Sequence, residues 1–210
     1  MHRCPLCATE TGPFHQDARR AYRACPTCSL VSVPARHHLG PAAERREYEL
    51  HENDPADSRY RRFLSRAAGA VRARVPPPAE GLDFGCGPAP ALSAMLEEDG
   101  YAMAVHDEHF APDPSALARD YDFITATEVL EHLAEPAETL GILLGCLRPG
   151  GWLVAMTKRA RDRDAFARWH YIRDPTHVVF FSDATFRWIA ARHGLDLEIV
   201  GPDVIALRRA

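Results

Sequence analysis

The chain has 210 residues, enough for one medium-sized domain with a core and a small appendage. Hydrophobic residues make up 46% and charged residues 26%, and the net charge of -4 offers no electrostatic basis for wrapping nucleic acid beyond a local basic patch. No apolar run approaches the roughly 20 residues of a membrane span, and "MHRCPLCATE" lacks the apolar core of a signal peptide, so a cytoplasmic address is expected.

Residues 1–38 hold four of the six cysteines. "CPLC" (Cys4, Cys7) and "CPTC" (Cys25, Cys28) are 17 residues apart, the spacing of a tetrahedral four-thiolate zinc site in which each tight turn aims two sulfurs at one ion. In a reducing compartment such pairs suggest metal before disulfides. The alternatives are two redox-active pairs or thiols without a role. A domain this small has little core, so the metal would carry its folding, and four sulfurs leave no open position for catalysis. A small zinc ribbon, purely structural, is the expectation.

Residues 39–78 read as a helical cap and linker. "GPAAERREYEL" and "SRYRRFLSRAAGAVRARV" are predicted helices, the second with Tyr60, Phe63, Leu64, Ala67, Ala70 and Val71 at helical spacing. Asp57 or Ser58 is a natural N-cap, and "PPP" at 76–78 ends the element. Tyr48, His51, Asn53 and Tyr60 cluster polar and aromatic groups here, either to close a ligand site or merely to cap and pack.

Residues 79–210 alternate strands and helices. Strands are expected at "LDFG", "YAMAVHD", "YDFITATE", "WLVAMT", "LEIVG" and "DVIALRR", with helices near 90–98, 136–147 and 183–193. Alternation predicts an α/β fold with a mostly parallel sheet covered on both faces. The last two strands are separated only by "GPD", so they form a C-terminal antiparallel hairpin.

Two features suggest a nucleotide-like ligand. In "GLDFGCGPAP" an apolar strand runs into Gly85 and Gly87, where glycines let the backbone approach a ligand and leave helix N-terminal amides free. Asp107 ends the next strand 22 residues after Gly85, where an acid accepts hydrogen bonds from ribose hydroxyls. A dinucleotide dehydrogenase shares both features, but G-C-G-P-A-P lacks the third glycine of G-x-G-x-x-G.

With "AVHD", "YDFITATEVLEHL" and "LRPGGWLVAMT" following "LDFGCGP" in order, residues 45–210 resemble the class I S-adenosylmethionine-dependent methyltransferases, which are Rossmann-like. The resemblance implies that Asp83, Gly85, Cys86 and Gly87 cradle the methionine moiety, that Asp107 binds the ribose, and that Thr127, Glu128 and Val129 line the pocket floor. Cys86 and Cys146 otherwise read as buried inert thiols.

One departure stands out. Only residues 108–120 separate Asp107 from the next strand. The family layout places a helix, a strand and a helix there, about forty residues, since each parallel crossover needs a dozen or more. The segment after the second strand is therefore shortened and that strand falls near the sheet edge. Asp113, Asp120 or the N-terminal helices are the candidates to replace the adenine contact. The bare edge needs covering by the zinc module or by a second subunit in a homodimer.

For methyl transfer, His132 in "EVLEHL" and His177 in "DPTHVVFFS" are the candidate catalytic residues, each a proton acceptor in reach of neutral pH. Their bland alternatives are a pocket-shaping residue and a loop histidine. "KRARDRDAFARWHYIRD" reads as a lid or a solvated face. A small-molecule acceptor is the expected partner. Alternatives are RNA, contacted by the zinc ribbon, or cofactor binding without catalysis.

Overall fold

The computed structural model of the chain describes residues 2–50 and 54–210; His51 and Asn53 lie outside that range. Three short strands, β1 (Gly12–Gln16), β2 (Ala21–Ala24) and β3 (Val31–Ser32), precede helices α1 (Pro41–Glu49) and α2 (Ser58–Arg72). There follow β4 (Glu80–Phe84), α3 (Ala91–Glu98), β5 (Ala102–His106), β6 (Tyr121–Thr127), α4 (Pro136–Gly145), β7 (Leu147–Met156), α5 (Arg163–Ala167), β8 (Val179–Phe180), α6 (Asp183–His193), β9 (Leu195–Ile199) and β10 (Val204–Arg209).

The large sheet has the order β5-β4-β6-β7-β10-β9. Strands β5, β4, β6 and β7 are parallel, and β10 runs antiparallel between β7 and β9. This is the expected Rossmann-like sheet with its C-terminal hairpin, and β5 is indeed an edge strand. The short link forms an isolated bridge, Asp107 to Ala111, and a 3-10 turn over Pro114–Ala118.

Strand alternation divides the core. Phe123 of β6 and Val154 of β7 face α2 and α3 with Leu64, Val71 and Leu96, whereas Ile124, Leu153 and Ala155 face α4 and α6 with Leu140, Leu143 and Ile189. Helix ends follow local chemistry. The Asp57 side chain caps α2 by accepting from Arg59 N, a contact of about 1 kcal/mol. Ser182 and Thr185 form a capping box on α6, and Gly194 closes it in the left-handed conformation.

β7 begins at Leu147, earlier than expected, because "LRPGG" joins the sheet through a register shift instead of stopping outside it. Gly151 is required there. A Cβ would lie 2.9 Å from Arg148 O and 3.0 Å from Asp122 O.

The N-terminal strands do not cover β5. They extend through β3 onto β8, making a second sheet in the order β1-β2-β3-β8. Cys4, Leu6, Cys25, Cys28 and Leu30 share one buried cluster with Val179, Phe181, Phe186 and Ile189. The cysteine module is thus fused to the α6 side of the core, because β8 offers the short apolar edge it needs. No described helix is long and apolar enough to cross a membrane.

Candidate active site

A cavity of about 610 Å³ opens at the carboxyl ends of β4, β5 and β6. The sheet order reverses at β4, the place where open α/β sheets bind ligands. One wall is the turn after β4. Gly85 has φ +71, and a Cβ there would sit 2.3 Å from Val129 Cγ2, so the glycine lets the loop after β6 close directly on the turn. Gly87 also has positive φ, and its N–H donates to Asp107 Oδ2 at 2.9 Å. Asp107 Oδ1 accepts from His109 N and Phe110 N at 2.9 and 3.0 Å. The expected ribose acid therefore doubles as the organiser of the shortened link, and Oδ2, with a single N–H donor, retains acceptor capacity for a ligand. Cavity size and the close-approach glycine fit a nucleoside-sized cofactor.

Asp83, Gly85, Cys86, Gly87, Asp107, Thr127, Glu128, Val129, His132 and His177 all line this one cavity. Helices α1 and α2 contribute Tyr48, Tyr60 and Phe63 to its lining. Phe110, Leu117 and Leu133 supply an apolar wall, while Asp113 and Asp120 are not among the lining residues. Asp113 instead caps the 3-10 turn through Ser115.

Asp83 is buried, and burial pushes its carboxyl up to about 6 despite hydrogen bonds from Thr125 and Ser93; the Asp107 charge adds to the rise. A folded-state value above the unfolded 3.8 means that the protonated form favours the fold. This contribution is complete at low pH and is lost as pH rises through about 6. Relative to Asp83→Asn, the wild type should gain about 1 to 2 kcal/mol of stability between pH 8 and pH 5. Urea unfolding at the two pH values checks this, and a constant difference would refute the raised carboxyl. Burial likewise pushes the Cys86 thiol up to about 12, which keeps it unreactive.

The opposite wall holds a cluster that the sequence reading only half identified. His177 is 7% exposed, its Nδ1 lies 2.7 Å from Tyr171 O, and its ring is 4.8 Å from that of His132. His132 Nδ1 lies 3.3 Å from Thr176 O, and its ring touches Tyr48 at 5.3 Å. Burial, then the neighbouring His132, lowers His177 to about 4, which makes it a poor equilibrium base at neutral pH. Behind the histidines Glu131 is fully buried and accepts from the Tyr171 hydroxyl. Glu128, at φ 52 after β6, is linked to the same hydroxyl at 3.4 Å. Burial raises both carboxyls well above the usual range, and Glu131 adds to the rise at Glu128. Glu131 was visible in "TEVLEHL" but carried no role; an acidic residue three positions after Glu128 was the available signal.

The stretch read as a lid or a solvated face is anchored on the N-terminal sheet. Phe166, Tyr171 and Ile172 pack with Tyr22, Val31 and Phe180 of the N-terminal sheet. Arg20, 6% exposed, donates to the carbonyls of Ile172, Asp174, Pro175 and His177. At the module's centre, Cys4 and Cys28 sulfurs are 3.5 Å apart, and those of Cys7 and Cys25 are 3.3 Å apart. A tetrahedron with Zn–S bonds of about 2.3 Å has edges of about 3.8 Å, so this donor set fits zinc.

Residues 50–199 match the family model described as a methyltransferase domain. A 71-residue segment is 32% identical to a ubiquinone biosynthesis O-methyltransferase of Sodalis glossinidius (strain morsitans), spanning 34% of this chain and 28% of that protein. The match therefore reaches well under half of that relative's length. Among solved structures, the fold is similar to a 1,6-didemethyltoxoflavin-N1-methyltransferase of Burkholderia thailandensis with bound S-adenosylhomocysteine. That match has a TM-score of 0.54 at 18% identity over 94% of this chain and 99% of that one. It is also similar to the magnesium protoporphyrin IX methyltransferase of Synechocystis PCC 6803 with bound S-adenosylmethionine (TM-score 0.51, 14% identity, 80% of this chain and 91% of that one). With the family match covering most of its length and the sheet order in place, the chain belongs to the methyltransferase domain family.

Proposed function

We propose that the protein transfers a methyl group from S-adenosylmethionine to a small-molecule acceptor held between the glycine turn and the His132–His177 wall. The observation that carries this reading is the single roofed cavity in which both sets of residues meet. S-adenosylmethionine supplies a methyl group on a positively charged sulfur. Asp83, Gly85, Cys86 and Gly87 would hold the methionine part, Asp107 the ribose, and Thr127, Glu128 and Val129 the floor beneath the sulfur. The acceptor's lone pair would form the new bond to the methyl carbon as the carbon–sulfur bond breaks toward sulfur, and the acceptor's proton leaves to the cavity. His132 and His177 would orient the acceptor, which is where most of the rate gain of an in-line displacement arises.

A small acceptor is favoured over RNA by the fate of the arginines. On α2, Arg61, Arg66 and Arg72 pair with Glu98, Asp203 and Asp99, and Arg74 beyond it pairs with Glu198, so only Arg59 and Arg62 of the α2 arginines are outside an ion pair among the described residues. Cys4, Cys7, Cys25 and Cys28 would hold a structural zinc ion, whose module supports the acceptor wall from behind.

Calorimetric titration with S-adenosylhomocysteine should show one site per chain, weakened tenfold or more by Asp107→Ala, the loss expected from a charged hydrogen-bond pair of about 1.5–3 kcal/mol. Absence of heat with the wild-type protein would overturn the reading.

A further inference from the structure

We propose that Glu131, His132 and His177 form a second metal site, taking a divalent cation that binds an oxygen of the methyl acceptor. Each residue offers one ligand atom, and the three atoms lie within 4.8 Å of one another. Glu131 and His132 come from the 3-10 turn after β6, and His177 from the segment leading into β8. A cation with bonds of about 2.0–2.2 Å needs donors about 3 to 3.5 Å apart, so side-chain rotations of about an ångström complete the set.

Three observations point to a ligand. First, Glu131 is fully buried, and its Oε2 has no hydrogen bond of standard geometry among the described residues; the same holds for Glu128 Oε1. Second, no lysine or arginine forms an ion pair with either carboxylate among the described residues, and the positive charge acting on Glu128 is that of the more distant Lys158. A fully buried carboxyl beside a half-buried one costs free energy that a cation would recover. Third, both imidazoles place Nδ1 against a backbone carbonyl, Tyr171 O for His177 and Thr176 O for His132. A carbonyl only accepts, so at His177, where the contact is 2.7 Å, Nδ1 carries the proton and Nε2, 3.7 Å from Asp174 Oδ2, is the nitrogen with the lone pair, the arrangement that outer partners impose on metal-binding histidines. Packing alone would explain a buried histidine, but not two whose ligand atoms lie within 4.8 Å of a fully buried carboxylate with an oxygen outside any standard hydrogen bond.

Two nitrogens and one or two carboxylate oxygens form a borderline-to-hard donor set, suited to manganese, zinc or iron(II). Three protein ligands leave positions open, and because His132 and His177 line the cavity these positions face the acceptor. A cation there would polarise an acceptor hydroxyl and fix its orientation. Its O–H proton would leave to solvent, and the oxygen lone pair would take the methyl carbon as the bond to sulfur breaks. The acceptor class is therefore a small molecule methylated on oxygen, preferably with a second oxygen close enough to chelate. This use of the site rests on the methyl-transfer reading; the metal site itself is tested separately.

Manganese(II) is the probe, added to zinc-loaded protein so that the four thiols are already occupied, with binding followed by loss of the free-ion electron paramagnetic resonance signal. One manganese per chain is expected. Glu131→Gln and, at the cavity wall, His132→Gln should each weaken it tenfold or more while S-adenosylhomocysteine affinity stays within twofold. Wild-type protein that binds no manganese, or both variants binding it as wild type does, overturns the site. Manganese bound without any S-adenosylhomocysteine binding would instead remove the methyl-transfer reading and leave the metal site standing.

Discussion

Cys4→Ser is expected to cost the protein far more than its N-terminal strands. Structural zinc contributes about 10–16 kcal/mol of apparent binding energy in small metal-dependent folds, against a typical domain stability of 5–15 kcal/mol. Here the four sulfurs do not stand on an independent knob. Cys4, Cys25 and Cys28 are buried in the same cluster as Phe181, Phe186 and Ile189, and β3 completes its pairing only on β8. Losing the ion should release β8 and, with it, the His177 segment. Elemental analysis should find one zinc per chain in wild type and substoichiometric zinc in the variant. Calorimetry should show a fall in Tm of 10 °C or more, since each kcal/mol is worth about 2–4 °C at this size. Hydrogen exchange should accelerate at 176–182 as well as at the cysteine turns. A variant with wild-type Tm and unchanged protection at 176–182 would show the module to be an independent appendage.

That coupling is the part of the molecule least legible in the sequence. Apart from α5 and β8, the strands and helices from Glu80 onward are readable because their signals are local: apolar runs set by the sheet, a capping serine before α6, Gly194 after it. The edge position of β5 followed from counting residues 108–120. By contrast, Val31 pairs with Phe180 across 149 positions, and a two-residue strand has no periodicity to detect. "LRPGG" was readable as a break but not as a bulge within β7, since only the close approach of Asp122 O shows why Gly151 is needed. The candidate site divides in the same way. Gly85, Gly87 and Asp107 announce themselves by spacing. Glu131 becomes meaningful only once Tyr171 and His177 are folded against it, and no one-dimensional pattern links positions 131, 171 and 177.

Arg20 shows how strongly that non-local geometry is held. Its guanidinium is buried, with Nη2 donating to Ile172 O at 2.7 Å and Asp174 O at 2.6 Å, and Nη1 to His177 O at 2.9 Å and Pro175 O at 3.2 Å. Nε donates to the Tyr22 hydroxyl, which in turn donates to Asp17. Four carbonyls turned toward one point repel each other unless a planar cation with several donors sits among them. Arg20→Met should therefore destabilise the protein by about 3–5 kcal/mol, because each buried carbonyl left unpaired costs about 1–3 kcal/mol and water can reach some of them. Arg20→Lys should recover only part of this, since a point charge with three donors cannot span the four acceptors. Melting temperatures of the two variants measure the loss. Manganese affinity should fall with Arg20→Met while S-adenosylhomocysteine affinity holds, because the cation ligand His177 depends on this clamp and the glycine turn does not. If both affinities fall together, Arg20 is a general stabiliser; if neither falls, the 172–177 carbonyls are held by β8 and the Tyr171–Glu131 contact without it.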